Sequence, residues 1–217
     1  MVAAVLWDFG GVITTSPFEA FNRYEAERGL PRDLIRTVNA TNPDHNAWAL
    51  FERAEISAED FDRLFLEEST ALGHPVRGAD VLPLLSGDVR PAMVDALRAC
   101  KGRFKVGCIT NNVRTGEGAG MSASAEKATA VRAVMDLFDA VIESSKAGVR
   151  KPDPLIYRMM CEELGVAPAD CIYLDDLGVN CKPAAALGMT AIKVVSEAQA
   201  LADLEQATGL SFQRRAA

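Results

Sequence analysis

A chain of 217 residues with 49% hydrophobic content holds enough apolar side chain for one domain with a large insertion, or for two small ones. Its 30 acidic against 23 basic residues give a net charge of −7, and no Lys/Arg cluster exceeds a pair, which argues against a nucleic-acid groove. No apolar run reaches membrane-spanning length, and the two histidines and five cysteines show no metal-binding spacing.

The first apolar run, residues 2–7, reads as a buried strand. It ends in Asp8 and a turn, Phe9-Gly10-Gly11, before Val12-Ile13-Thr14. Parallel α/β sheets bind ligands at the carboxyl ends of their strands, so Asp8 is a nucleophile, a metal ligand or the cap of a following helix. Asp8-Phe9-Gly10 also spells the kinase magnesium tripeptide, but no nucleotide lobe fits before it. The opening residues make a poor signal peptide, because Asp8 interrupts them and no basic segment precedes them. Cys108 and Cys171 fall in apolar runs as small hydrophobes, and a reduced, cytoplasmic setting is expected.

From residue 17 to about 89 the patterns are helical. Phe18, Phe21, Tyr24 and Glu25 share one helix, and Trp48, Leu50 and Phe51 another. Ser57-Ala58-Glu59-Asp60 caps a helix over 61–72, with Asp60 where a capping box prefers Glu. An insertion here forms a helical cap over the carboxyl edge of the sheet. Trp48, Phe51, Phe61 and Phe65 are assigned to the core of that cap rather than to substrate contacts. His45 and His74 are assigned to its surface, with His45 the one that could face the site.

Four further apolar runs, 104–109, 140–142, 171–174 and 191–195, read as strands. Helical patterns over 125–138, 152–164 and 182–187 separate them, with Pro152 or Pro154 suited to a first turn and Gly188 to an end. Such alternation implies a parallel sheet covered on both faces. The fold expected is therefore α/β, a Rossmann-like parallel-sheet core (1–16 and 90–217) with a helical cap (17–89) inserted after its first strand.

Four pieces converge on one edge of such a sheet: Asp8 with its turn; Thr110-Asn111-Asn112; Lys151 within Arg150-Lys151-Pro152-Asp153-Pro154; and Asp175-Asp176, with Asn180 beyond. The set suits a phosphoryl group. Three crowded carboxylates need a cation, and a hard, oxygen-liganded ion such as Mg²⁺ is the natural one. Thr110 and Asn111 offer a hydroxyl and an amide to phosphate oxygens. Lys151 supplies the positive charge that lets a carboxylate approach an anion, with Lys146 as its competitor, and Asp8 becomes a candidate nucleophile.

These motifs resemble those of the haloacid dehalogenase (HAD) superfamily, and most closely the subgroup containing the N-terminal phosphatase domain of soluble epoxide hydrolase and some acyl-CoA dehydrogenase fusion domains. The likeness runs from Asp8-Phe9-Gly10-Gly11-Val12 through Ile109-Thr110-Asn111-Asn112 and Arg150-Lys151-Pro152 to Leu174-Asp175-Asp176, and on to Gly188-Met189-Thr190. It implies Mg²⁺-dependent hydrolysis of a small phosphorylated metabolite through an aspartyl phosphate on Asp8. Thr110, Asn111 and Lys151 would hold the phosphate. The metal would lie on Asp8, the Gly10 carbonyl, Asp175 and Asp176, with Asp176 the more direct of the pair and Asn180 supporting. Phosphatases of the family usually carry a second aspartate, the general acid and base, where this chain has Gly10. A 2-haloacid dehalogenase also lacks that aspartate, and an impaired binding or regulatory protein is the other alternative.

Overall fold

The computed structural model describes residues 1–114, 121 and 124–212. Strand β1 (Ala4–Trp7) is followed by helices α1 (Pro17–Glu27), α2 (Leu34–Ala40), α3 (Ala47–Glu52), α4 (Ala58–Ala71) and α5 (Gly78–Val81). Then come α6 (Pro91–Lys101), β2 (Lys105–Thr110), α7 (Ala125–Met135), β3 (Ala140–Glu143), α8 (Ser144–Ala147) and α9 (Pro154–Leu164). The chain closes with β4 (Cys171–Asp175), α10 (Gly178–Ala186), β5 (Thr190–Lys193) and α11 (Glu197–Thr208).

The strands form one parallel sheet in the order β3-β2-β1-β4-β5. The central strand β1 is buried on both faces, which is why it reads as a continuous apolar run rather than an alternating one. Val5 and Trp7 join a core that includes Met93 and Leu97 of α6, Val131 of α7 and Leu204 of α11. Ala4 and Leu6 join a second core with Ile156, Tyr157 and Met160 of α9. Chain order reverses around β1, so the crevice at the carboxyl ends of β1, β2 and β4 is the switch point where such sheets take ligands.

Helices α1 to α5 have their own apolar cluster, with Phe21, Ile35, Phe51, Phe61 and Phe65 almost wholly covered. Phe51 and Phe61 stack with ring centroids 4.8 Å apart. Ser57 caps α4 by accepting from the Asp60 N–H, and its hydroxyl donates to the Asp60 carboxylate, so aspartate serves as the cap's partner where a glutamate is preferred. The chain enters and leaves these helices through one narrow ribbon. Thr14 bridges antiparallel to Val89, the Thr15 N–H donates to Asp88, and the Arg90 N–H donates to Ile13.

Strand positions agree with the sequence reading to within a residue or two, but four helix boundaries differ, the first being α4, which starts at Ala58 rather than 61. α7 stops at Met135 rather than 138, and α9 starts at Pro154, with Asp153 accepting from the Leu155 N–H as its cap. Lys151 therefore lies in the turn before α9 and does not open it. α10 begins at Gly178, four residues ahead of the expected 182, and carries Pro183 inside it. The Asp175 carboxylate accepts from the Leu177 N–H and the Asn180 amide, which nucleates the first turn early.

Candidate active site

Asp8 follows β1, Thr110 ends β2 and Asp175 ends β4, so the sheet itself brings three polar groups to one edge. All three are buried, and buried carboxylates need partners. Lys151 supplies the link. Its side chain is 1% exposed, and its Nζ lies 2.7 Å from Asp8 Oδ1 and 2.8 Å from Asp175 Oδ2. Burial alone would lower the lysine's pKa, but the charges of Asp175 and Asp8 outweigh it and hold the ammonium protonated well above its ordinary range. Lys146, the competitor, pairs with Glu143 on the surface.

Complete ionisation would leave three carboxylates facing one ammonium. Burial, opposed by Lys151 and reinforced by Asp175 and Asp176, raises Asp8 well above its ordinary value. Asp176 is raised to about 6, first by burial and then by the charge of Asp175. The cluster thus lacks positive charge. Oxygen atoms of Asp8, Asp175 and Asp176 come within 4.8 Å of one another, and an all-carboxylate donor set suits a hard divalent cation.

The two neighbouring aspartates are not equivalent. Asp175 is 0% exposed and accepts from Leu177 N, Asn180 Nδ2, Lys151 Nζ and the Tyr173 hydroxyl, so its lone pairs are engaged. Asp176 takes a single side-chain hydrogen bond, 3.2 Å from Ser16 Oγ. It also packs against the glycine turn: a Cβ on Gly11 would fall 2.1 Å from Asp176 Oδ2, and Gly11 has φ +77°. Only glycine fits there. Gly10 is different, with no atom within 4 Å of a Cβ built on it and no left-handed φ.

Asn111 departs from the expected arrangement. Its Oδ1 accepts from the Lys151 N–H at 2.8 Å, and its Nδ2 donates to the Lys151 carbonyl at 3.0 Å and to Glu52 at 3.3 Å. The amide clamps the Lys151 backbone instead of standing free to meet a phosphate oxygen. Lys151 does more than supply charge to a ligand: a buried ammonium between two carboxylates is also a structural requirement. Asn180 supports Asp175, and its carbonyl accepts from the Tyr157 hydroxyl at 2.8 Å.

Above this floor lies a pocket of about 540 Å³. Its apolar lining includes Phe18, Trp48, Leu85, Val113 and Leu177, and Arg36, Asp44, Glu52 and Arg150 add charge above the floor. Trp48 therefore belongs to the wall as well as to the cap cluster, a correction to its assignment as core alone. Val179 also lines the pocket and remains 55% exposed. His45 is exposed on the surface. Ser16, Tyr173, Glu52 and Arg150 went unassigned in the sequence, since nothing in their local pattern marks a serine before a proline or a glutamate ending a helix as part of a site.

The cysteines behave as the sequence implied. All five are free and buried, and burial pushes Cys100 up to about 12, out of reach as a nucleophile. Among the described residues no helix is long and apolar enough to cross a membrane.

A family model for haloacid dehalogenase-like hydrolases matches residues 2–188. Acyl-CoA dehydrogenase family member 10 of Mus musculus is 31% identical over 95% of this chain, which spans only 19% of that relative's length. The sesquiterpene phosphatase astK of Aspergillus oryzae is 24% identical over 95% of this chain and 96% of its own. Among solved structures, a HAD-family enzyme of Bacteroides thetaiotaomicron in complex with magnesium and inorganic phosphate has a TM-score of 0.59. It is 18% identical, covering 91% of this chain and 96% of its own, a likeness of fold.

Proposed function

Because the chain belongs to the haloacid dehalogenase-like hydrolases, we propose that it hydrolyses phosphate monoesters of apolar alcohols through an aspartyl phosphate on Asp8. The observation that carries this reading is Lys151 Nζ seated between Asp8 and Asp175 on the floor of a pocket with apolar walls. A carboxylate reaches an anionic phosphoryl group only where positive charge offsets the repulsion.

Asp8 attacks phosphorus, an oxygen–phosphorus bond forms, and the ester bond breaks, the leaving oxygen taking its proton from solvent water because Gly10 has no side chain to supply one. Water then attacks the acyl phosphate and returns Asp8 as a carboxylate. Both hydrogen bonds to Asp8 end on Oδ1, from the Phe9 N–H at 2.7 Å and from Lys151, which orients Oδ2 as the attacking atom. Thr110 holds a phosphate oxygen through its hydroxyl. Asn111 acts through the Lys151 backbone that it clamps. Asp175 fixes the ammonium, with Asn180 and Tyr173 fixing Asp175 in turn. Mg²⁺ suits the donor set, with Asp8, Asp176 and the Gly10 carbonyl as ligands and Asp175 behind them, and when bound it supplies positive charge to the phosphoryl oxygens.

Residues 17–89 act as the cap, a division supported by the separate apolar cluster of α1 to α5. The preference for an apolar alcohol rests on the pocket walls and on Val179, a solvent-exposed aliphatic at the pocket. The name of the fungal relative, a sesquiterpene phosphatase, points the same way.

Gly10 keeps a second reading in play, a dehalogenase in which Asp8 attacks carbon and no acid is needed. The test is phosphate release from a series of alkyl and aryl phosphates, with Mg²⁺ and with chelator, beside halide release from a 2-haloacid. Metal-dependent phosphate release that improves with alkyl chain length is expected. Halide release indifferent to chelator would overturn the phosphatase reading.

A further inference from the structure

Glu52 is the one carboxylate of the cap helices that is buried and reaches the sheet edge. It ends α3, is 6% exposed, and is engaged on both oxygens. Oε1 accepts from Trp48 Nε1 at 3.0 Å, one helical turn back on the pocket wall. Oε2 accepts from Arg150 Nε at 2.5 Å and from Asn111 Nδ2 at 3.3 Å. Arg150 makes a second tie to the cap, donating from its NH1 to the Pro43 carbonyl at 3.0 Å.

What Glu52 holds matters more than how tightly it holds. Arg150 immediately precedes Lys151, and Asn111 brackets the Lys151 backbone on both its N–H and its carbonyl. A continuous path of hydrogen bonds and one peptide unit therefore runs from Trp48 in the roof to the ammonium beside Asp8. Every other side chain on that path is neutral or cationic. A carboxylate at the junction is the element that draws the guanidinium and the amide to the same point.

We propose that Glu52 is a positioning residue for the reaction at Asp8, one that fixes the Lys151 segment in register with the cap wall and so sets where the ammonium lies relative to the phosphoryl group. This rests on the reading of Asp8 and Lys151 as the reacting pair. Glu52 touches neither of them, so its effect is on geometry. Misplacement of a catalytic group by about 1 Å can cost on the order of 10²-fold in rate, and groups supporting a site typically contribute about 10–100-fold.

The test compares Glu52→Gln, Arg150→Gln and the double variant, using para-nitrophenyl phosphate and n-hexyl phosphate. Glu52→Gln keeps the shape and an acceptor for Trp48 but strands the guanidinium. The double variant removes both charges, so the question stays answerable if the single variant fails to fold. We expect kcat to fall about 10–100-fold by the same factor for both esters, KM to stay within about threefold, and the double variant to be no worse than the more damaged single. Unchanged kcat in a folded variant would overturn the proposal. So would a loss confined to KM, which makes Glu52 a substrate contact, or a loss that grows with the basicity of the leaving group, which makes it the missing proton donor. Asp8→Asn is measured beside them. If it is as active as the parent, the reading of the site falls and this inference with it; if it is dead while Glu52→Gln is normal, only the inference falls.

Discussion

On the floor of the pocket, two buried carboxylates, a third that is half-buried and a buried ammonium crowd together, with Asp175 alone accepting from four different residues. Its roof includes the apolar Phe18, Trp48, Leu85 and Val113, with Arg36, Asp44 and Glu52 as charged members. The floor is rigid because every polar group there must be satisfied once water is excluded, so its residues are dictated by one another. The roof must only be apolar and about the right shape, and many sequences meet that condition. Chemistry fixed below and selectivity left free above is what this division of labour provides.

The largest test of the floor is Asp8→Asn. The amide is a poor nucleophile, and removing a group that forms the covalent intermediate should lower turnover by about 10⁴-fold or more. The fold should survive, because Lys151 keeps its contact with Asp175 at 2.8 Å. Phosphate release within tenfold of the parent would mean that the floor is not where the bond is made.

Gly10 stands between floor and roof, where the family's phosphatases keep their proton donor. Esters with acidic leaving groups need that proton least, so aryl phosphates should outrun alkyl phosphates by up to the ~10²–10⁴ contribution of general acid catalysis. Gly10→Asp should narrow this gap. Nothing lies within 4 Å of a Cβ at Gly10 and its φ is not left-handed, so the variant should fold. Equal rates for both ester classes in the parent, with chemistry limiting, would show that the proton comes from elsewhere.

The floor was legible in the sequence and the roof was not, for a physical reason. Asp8, Thr110 and Asp175 each end an apolar run, and apolar runs in a parallel sheet must end at the same edge, so strand periodicity alone predicts that they meet. Lys151 has no such run before it; the sequence places it at that edge because it sits at the start of the 152–164 helical pattern, and the likeness to a family motif adds to that. Trp48 and Glu52 are one helical turn apart, a spacing compatible with core, surface or pocket. Only the packing of α3 against the Arg150 segment decides which. The start of α10 lies four residues ahead of the sequence reading, because the group that starts the helix is the carboxylate of Asp175, three residues ahead of Gly178.

Lys151→Ala asks whether the floor can lose its one cation. With the ammonium gone, buried Asp8 and Asp175 face each other and Asp176 unpaired, and breaking such a pair typically costs about 3–5 kcal/mol. Chemical denaturation should show a loss of that order, together with a fall in turnover. Restoring stability with Mg²⁺ would show the cation and the ammonium serving the same charge requirement. A variant as stable as its parent would place the Lys151 side chain outside the buried network.

The smallest expected effect separates Asp176 from its neighbour. Its carboxyl is raised to about 6 in the folded chain by burial and by Asp175, against about 3.9 for an unfolded aspartate. The folded state therefore binds the proton more tightly than the unfolded one. The associated stability is complete below about pH 4 and is lost as pH rises through about 6. Asn cannot ionise, so Asp176→Asn in the presence of chelator should be more stable than the parent at pH 8, by on the order of 1–2 kcal/mol or roughly 2–8 °C in Tm. The advantage should shrink to nothing by about pH 4. Excess Mg²⁺ should reverse the order at pH 8, since only the parent keeps the full set of anionic ligands. If the chelated variant gains nothing at pH 8, Asp176 carries no stored repulsion, and the floor is as evenly compensated at its rim as it is at Asp175.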